Sequence, residues 1–442
     1  MATSGAPAVD RREPLFGFSV NRWGIFAASI IAMMAIANLQ YAWTLFTTPL
    51  TRSLHVELAA VQVAFSTFVL CETWLVPFEG WIVDHLGPRL IILCGGVLVG
   101  LAWVGSGLAQ NVLTLDVFYA LGGVGAGAVY GACVGNTLKW FPDRRGLCAG
   151  AVAGSYGVGT AATIIPISNM IDASGYRSAF IVFGFIQGIV VIICALFIGR
   201  PPRDWVPAGW DRMAERITSR IHMGTRNLSW HETLRQPSFW ALYFVMTLMA
   251  FTGLVVTAQL KPIAQHYHVD KVVIVLGMTV LVMALLMDRI VNGLTRPFWG
   301  WVSDHIGREN AMFIAFGIQT LTILGWVMTI GNPVLFVVLT GLAYFSWGEI
   351  FSLFPATVGD LFGKANATTN YGMLYTAKGL ASIFAGPVAA LAAAGTTGWI
   401  PVFYAMAACS GVAAILALVL IKPIARRAVA YEGRVAVEVA GS

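Results

Sequence analysis

Charge is scarce in this sequence. Aspartate, glutamate, lysine and arginine together make up 11% of its 442 residues, against roughly 25% in a typical soluble domain. A chain so poor in charge points to a bilayer as its surroundings. Cysteine is sparse as well. Cys71, Cys94, Cys133, Cys148, Cys194 and Cys409 all fall at or inside apolar runs with no metal-type spacing, which argues against a disulfide framework or a zinc site and leaves packing as their role. None of the seven histidines lies deep in an apolar run, so haem ligation and a histidine proton relay drop out. Catalytic signatures are missing too: His231-Glu232 lacks the second histidine of a metalloprotease helix, and Gly363-Lys364 is followed by alanine where a phosphate loop needs Ser or Thr. No enzyme site is visible, and no metal or other cofactor is expected. The net charge of +6 is spread over separate loops rather than gathered in one patch, which removes nucleic acid as a partner.

What is abundant is apolar length. Hydrophobic residues reach 58%, and runs of about 20 residues, enough to cross a bilayer as a helix, recur from residue 23 to residue 421. Twelve spans are expected, at 23–48, 58–82, 90–109, 113–138, 146–171, 177–198, 237–262, 272–302, 310–330, 333–359, 369–393 and 398–421. The first has no short apolar core with a small-residue cleavage site, so it reads as a retained helix rather than a signal peptide. Cytoplasmic loops carry the lysine and arginine excess. Of the 27 basic residues, only Arg52, Arg177, Lys261 and Lys271 fall in the loops that this reading places outside, and Arg289, Arg296 and Lys378 fall within spans. Both termini are therefore expected in the cytoplasm.

The chain reads as two similar halves. A polar stretch at 199–236, rich in arginine and tryptophan, is expected to link a first bundle at 23–198 to a second at 237–421. Residues 1–22 and 422–442 remain as cytoplasmic ends. GWIVDHLGPR (80–89) and GWVSDHIGR (300–308) stand after the second span of each half and form an internal repeat. Asp84 and Asp304 would sit at cytoplasmic helix ends with Arg89 and Arg308 a turn or more away, where ion pairs or helix-end contacts could lock an inner gate. Two parallel six-helix repeats of this kind resemble a carrier of the major facilitator superfamily, an all-α membrane fold of 12 helices with its substrate site near the midplane. Glycines at 123, 127, 131 and 135 repeat every four residues along the fourth span, and the likelier role of such a stripe is close helix packing. Gly146, Gly150 and Gly154 do the same on the fifth, and Gly372, Gly379 and Gly386 leave a smooth stripe on the eleventh.

The charges inside the spans are the functional candidates, because an ionisable group at mid-membrane is costly and needs a partner, a wet cavity or a ligand. At a rise of ~1.5 Å per residue, Arg296 lies ~12 Å from Asp304 and Lys378 ~14 Å from the inner start of its helix. Both cations thus reach a similar level near the middle of a ~30 Å core. Two unpaired cations at one depth suggest an anion site between them. The competing reading is internal pairing with a carboxylate, for which Glu72, Glu349 and Asp288 are available. Tyr371, Tyr375, Lys378 and Ser382 share a helix face, whereas Glu349 points away from the face of Trp347 and Phe351.

LQYAWTLF (39–46), AAVQVAF (59–65), VYGACVGNT with KWFPDRRG (129–146), RPFWGWVSDHIGR (296–308), YFSWGEIFSLFP (344–355) and YTAKGLASIFAG (375–386) resemble the oxalate:formate antiporter family. That resemblance implies that Arg296 and Lys378 match the family's essential arginine and lysine, which grip the two carboxylates of oxalate. It also implies polar cavity positions at Gln40, Tyr41, Gln62 and Tyr130 and an aromatic cage at Trp347. The chain departs from the family at Phe351, where the antiporter has tyrosine, at Tyr375, where it has tryptophan, and in its additional charges Glu72, Asp288, Arg289 and Glu349. A protonatable carboxylate could couple transport to protons, as in a monocarboxylate symporter. The expectation is a monomeric secondary transporter of small carboxylate anions in a cell membrane, a bacterial inner membrane for this family. Oxalate:formate exchange is the primary reading and proton-coupled uptake of lactate or pyruvate the alternative. A receptor that kept the fold and lost transport is the third, and no signalling module supports it.

Overall fold

The structure is a computed structural model that describes residues 13–15, 18–141, 145–201, 228–363 and 366–425. Most of the expected linker, Pro142, Asp143 and Arg144 of the WFPDRRG motif, Lys364 and Ala365, and residues 1–12, 16–17 and 426–442 of the expected terminal segments lie outside the described residues.

Apolar composition and the need to satisfy every backbone N–H and C=O within the chain leave helices as the solution for a spanning segment. The first crossing is broken into α1 (Arg22–Ile36), α2 (Asn38–Tyr41) and α3 (Trp43–Leu54). The second divides at Leu75, just before Pro77, into α4 (Leu58–Trp74) and α5 (Val76–Leu86). Then come α6 (Pro88–Leu108), α7 (Val112–Trp140), α8 (Arg145–Val158) and α9 (Ile164–Phe197). Gly175 interrupts α9 with φ 82, so residues 145–174 and 176–197 make separate crossings.

In the second half a short α10 (Trp230–Leu234), closed by a Ser229–Glu232 capping box, leads into α11 (Pro237–His266). It is followed by α12 (Val280–Ile306), α13 (Arg308–Thr329), α14 (Pro333–Trp347), α15 (Ile350–Phe362), α16 (Ala367–Ile383), α17 (Ala389–Ala393) and α18 (Ile400–Leu416). The α14–α15 break falls at Gly348–Glu349, and a wide turn at Phe384–Val388 containing Pro387 joins α16 to α17.

Ten stretches among the described residues are long and apolar enough to cross a membrane. One of them, Gly150–Phe197, holds two crossings because of the Gly175 break. A twelfth crossing, α12, carries too much charge to qualify on composition. The architecture is therefore the all-α one expected, twelve helices in two sets of six. One boundary differs: the eighth span was expected from residue 272, but Val273–Val275 and Met278–Thr279 pair as an antiparallel hairpin. A β-branched run followed by Leu276 and Gly277, both with positive φ, meets the backbone demand of a tight hairpin turn before the helix begins.

The two repeat motifs end in the same way. Gly87 (φ 85, ψ 162) stops α5 and Gly307 (φ 89, ψ 153) stops α12, a conformation that glycine reaches without Cβ penalty. The halves meet along α3 with α11, α4 with α16 and α8 with α12. Along the α4–α16 seam, a Cβ on Gly379 would lie 2.8 Å from the Trp74 ring and one on Gly386 3.0 Å from the Gln62 carbonyl oxygen. Residues 372, 379 and 386 are thus the groove in which the first half rests.

The stripe on α7 divides. Gly123 would collide with the Phe68 carbonyl of α4 and Gly127 would reach the Glu72 carbonyl at 2.7 Å, whereas Gly131 and Gly135 have nothing within 4 Å of an added Cβ. Gly123→Ala is therefore expected to destabilise by about 1–3 kcal/mol, and Gly131→Ala to leave stability nearly unchanged. Thermal melts of the two purified variants in one detergent check this, and equal melting temperatures would contradict the close α4–α7 packing.

Candidate functional site

Breaks in the crossing helices turn polar side chains inward at mid-length. Tyr41 from α2, Tyr130 from α7, Tyr156 from α8, Arg296 from α12, Phe351 from α15, and Tyr375 and Lys378 from α16 line a collapsed cavity between the halves, packed too tightly in this closed arrangement to hold a water molecule. Arg296 is 3% and Lys378 1% exposed, so the cavity is closed off from both ends. Among the described residues no three His, Cys, Asp or Glu side chains converge as a metal site would need.

Lys378 has the fuller coordination. Its Nζ donates to Glu72 Oε2 at 2.8 Å, to Gln40 Oε1 at 3.0 Å and to the Tyr375 hydroxyl at 3.1 Å. The Gln40 oxygen also accepts from the Tyr156 hydroxyl at 3.0 Å. The expectation of an unpaired lysine is thus corrected. Glu72 stands two residues before the end of α4, the helix pressed against α16, and that seam puts its carboxylate on the ammonium.

Arg296 is different. Its Nη1 donates to the Ala153 carbonyl at 2.6 Å and its guanidinium lies 4.4 Å from the Phe351 ring centroid, while Nε has no partner. No ion pair to Arg296 is found among the described residues. Arg289, two turns along α12, is held between the rings of Tyr41 and Tyr344 at 4.2 and 4.3 Å. Tyr41 is therefore the wall between Arg289 and the cavity. Asp288 and Glu349 are both fully buried, with all four carboxylate oxygens unpartnered. Neither lines the cavity, so neither serves as the counter-ion considered for Arg296 or Lys378.

Three residues expected in the cavity, Gln40, Gln62 and Trp347, lie outside its wall, Gln40 meeting Lys378 from behind it. Gln62 accepts from Trp43 Nε1 at 2.9 Å and donates to the Ala258 carbonyl at 2.9 Å and to Gln259 Oε1 at 2.8 Å. All its hydrogen-bonding groups are engaged in a polar seam away from the repeat-motif end. Gln259 continues that seam to the Ala385 and Gly386 carbonyls, and Thr48, Ser66 and Lys261 add Thr48–Gln265, Ser66–Ser382 and Lys261–Leu45 bonds between the halves. Trp347 stands behind Phe351, in edge contact at 5.2 Å, and supports the wall from the second layer.

At the motif end the side chains of Asp84 and Asp304 lie outside the described residues. Arg89 is half-buried and lines a surface groove with Arg200. Arg308 pairs with Asp360 at the end of α15 at 3.3 Å, a contact within the second half that the repeat alone did not foretell. Besides Arg296 to the Ala153 carbonyl, a bond from Trp74 Nε1 to the Thr376 carbonyl at 3.1 Å ties the halves on this side.

A family model described as Major Facilitator Superfamily matches residues 25–293 and 290–437. The chain belongs to that superfamily. Superfamily members similar to it include the oxalate:formate antiporter of Oxalobacter formigenes, 34% identical over 93% of this chain and 94% of that protein. An uncharacterized MFS-type transporter of Escherichia coli, YhjX, is 25% identical over 82% of this chain and 86% of its own length. The apicoplast pyruvate carrier 1 of Toxoplasma gondii matches at 30% over 32% of this chain and 30% of its own. Relatives of this kind are transporters, not enzymes, and the helices make the chain a multi-pass membrane protein.

Sequence reasoning passed over Tyr156 and Gln259. Each is a hydrogen-bonding side chain in the middle of an apolar superfamily helix, which was the available signal. The polar seam generates a prediction. Gln259→Leu removes its bonds to Gln62 and to the Ala385 and Gly386 carbonyls, and is expected to loosen closure at that end. With the six native cysteines replaced, Ser382→Cys should then alkylate at least several-fold faster with a membrane-impermeant maleimide than in the parent. An unchanged rate would show that the seam does not hold the cavity shut.

Proposed function

We propose that this protein carries small carboxylate anions across the membrane by alternating access, in an exchange of the oxalate:formate type. The observation that carries the reading is the Arg296 guanidinium, buried beside Lys378 where the halves meet, with no carboxylate among the described residues in ion-pair contact. The 34% identical relative whose name states oxalate:formate antiport supports it.

A carboxylate entering between the halves would accept charge-assisted hydrogen bonds from Arg296 and, at its far end, from Lys378. The tyrosine hydroxyls of residues 41, 130 and 375 stand ready as further donors. Aromatic walls exclude water and strengthen the attraction. The halves then rock about the bound anion, the polar seam of Gln62 and Gln259 parting at one end while the motif end closes. The termini face the cytoplasm in this reading, because the loops on their side hold most of the lysine and arginine. The carrier works as a monomer. Leaving Arg296 desolvated without an anion is costly, so return without cargo is slow and exchange follows.

A second reading, proton-coupled uptake of a monocarboxylate such as lactate or pyruvate, is favoured by one observation. Glu72 already supplies Lys378 with a carboxylate at 2.8 Å, which lowers the cost of returning unloaded.

Uptake of labelled oxalate into liposomes holding the purified protein separates the two. Exchange predicts uptake that needs formate or oxalate inside and ignores an imposed proton gradient; symport predicts gradient-driven uptake into vesicles without internal anion. Arg296→Met and Lys378→Met are each expected to lower flux by at least ~100-fold, since removing one partner of a buried charged contact costs about 3–5 kcal/mol. Normal flux in both variants would overturn the site assignment.

A further inference from the structure

The cavity's cations are not equivalent, and the difference bears on which anions it accepts. Arg296 has a carbonyl and an aromatic ring as partners; Lys378 has a carboxylate. Two cations and one carboxylate leave a single positive charge at the cavity. The Glu72–Lys378 pair is also unusual in position. Its members come from opposite halves, are each 1% exposed, and Glu72 Oε1 has no hydrogen-bond partner. A pair that served only to fasten the helices would gain from engaging both oxygens, because a buried acceptor left unpaired is costly. Lys378 itself lines the cavity, whereas Glu72 lies behind it.

We propose that Glu72 is a specificity-determining residue: it competes with the substrate's carboxylate for Lys378 and tunes the cavity to one negative charge. This rests on the carboxylate-carrier reading above and extends it. A monocarboxylate binds Arg296 and leaves the Glu72–Lys378 pair in place. A dicarboxylate must take Lys378 from Glu72, or enter with a proton on Glu72 that cancels the competing charge. Either event adds a cost that a monoanion of the same shape does not meet. Gln40 and Tyr375 keep Lys378 hydrogen-bonded whichever partner it has, so the exchange of carboxylates does not strand the ammonium.

Oxalate and oxamate provide the test, being nearly isosteric and differing by one charge. Inhibition constants of both against labelled formate exchange would be measured for the wild type, Glu72→Gln and Glu72→Asp, with ligand-induced shifts in melting temperature as a second readout. The expected result is wild-type constants within about threefold of each other, a preference for oxalate of at least tenfold in Glu72→Gln, and a return to the wild-type ratio in Glu72→Asp. A merely structural role would weaken both ligands together and leave their ratio alone. A ratio unchanged in Glu72→Gln overturns the proposal while the carrier reading stands, and so does a wild type that already prefers oxalate more than tenfold, even if Glu72→Gln does not fold. A wild type that neither transports nor is stabilised by any of the three anions overturns the carrier reading together with this one.

Discussion

An ammonium buried to 1% in the apolar interior of a membrane protein is the constraint around which the middle of this molecule is arranged. Taking a charge of that size out of water costs several kcal/mol even after relaxation. Glu72 from α4, Gln40 from α2 and Tyr375 one turn along α16 offset it. The contacts from Glu72 and Gln40 require the two halves to approach closely. The glycines at 379 and 386, which admit Trp74 and the Gln62–Ser66 stretch of α4, are what make the approach possible. The charged centre and the small-residue seam are therefore one design viewed from two sides.

The contacts that close the cavity differ at its two ends. Away from the repeat motifs the seam is polar and dense, with the Gln62 amide donating across the halves to Gln259 and the Ala258 carbonyl, and Gln259 donating in turn to backbone carbonyls. Toward the motifs, Trp74 reaches the Thr376 carbonyl, Arg296 reaches the Ala153 carbonyl, and α8 packs on α12 through small residues, with Gly154 against the Gly293 carbonyl. Interhelical hydrogen bonds in membrane proteins average well under 1 kcal/mol each. A seam of several such bonds can hold and still be parted by a rocking motion, which suits a carrier.

Helix existence was legible throughout because hydrocarbon selects for it: a 20-residue apolar run has no other way to pair its backbone groups. The misplaced start of the eighth span is instructive. Val272, Val273, Ile274 and Val275 are as apolar as a helix start and hydropathy cannot tell them from one, yet β-branching and the Leu276-Gly277 turn made a hairpin. The reach of depth arithmetic was similar. It brought Arg296 and Lys378 to one level, and the two do line one cavity, but it could not tell that Glu72 would pair with Lys378 while Asp288 and Glu349 would form no ion pair among the described residues.

Composition, span count, the internal repeat and the two cations at one depth came from the sequence by itself, since each depends only on spacing along a helix of known rise in a slab of known thickness. The tertiary structure alone decided who partners whom. Gln62 faces another helix's amide rather than the cavity, Trp347 backs Phe351 instead of lining the wall, and Tyr41 screens Arg289 from Arg296. Those choices rest on rotation and kinking of whole helices at Ala37, Leu75 and Gly348, and a few degrees there move a side chain across a helix boundary. Periodicity carries no information about the neighbouring helix, so pairing across the halves had to wait for the packed molecule.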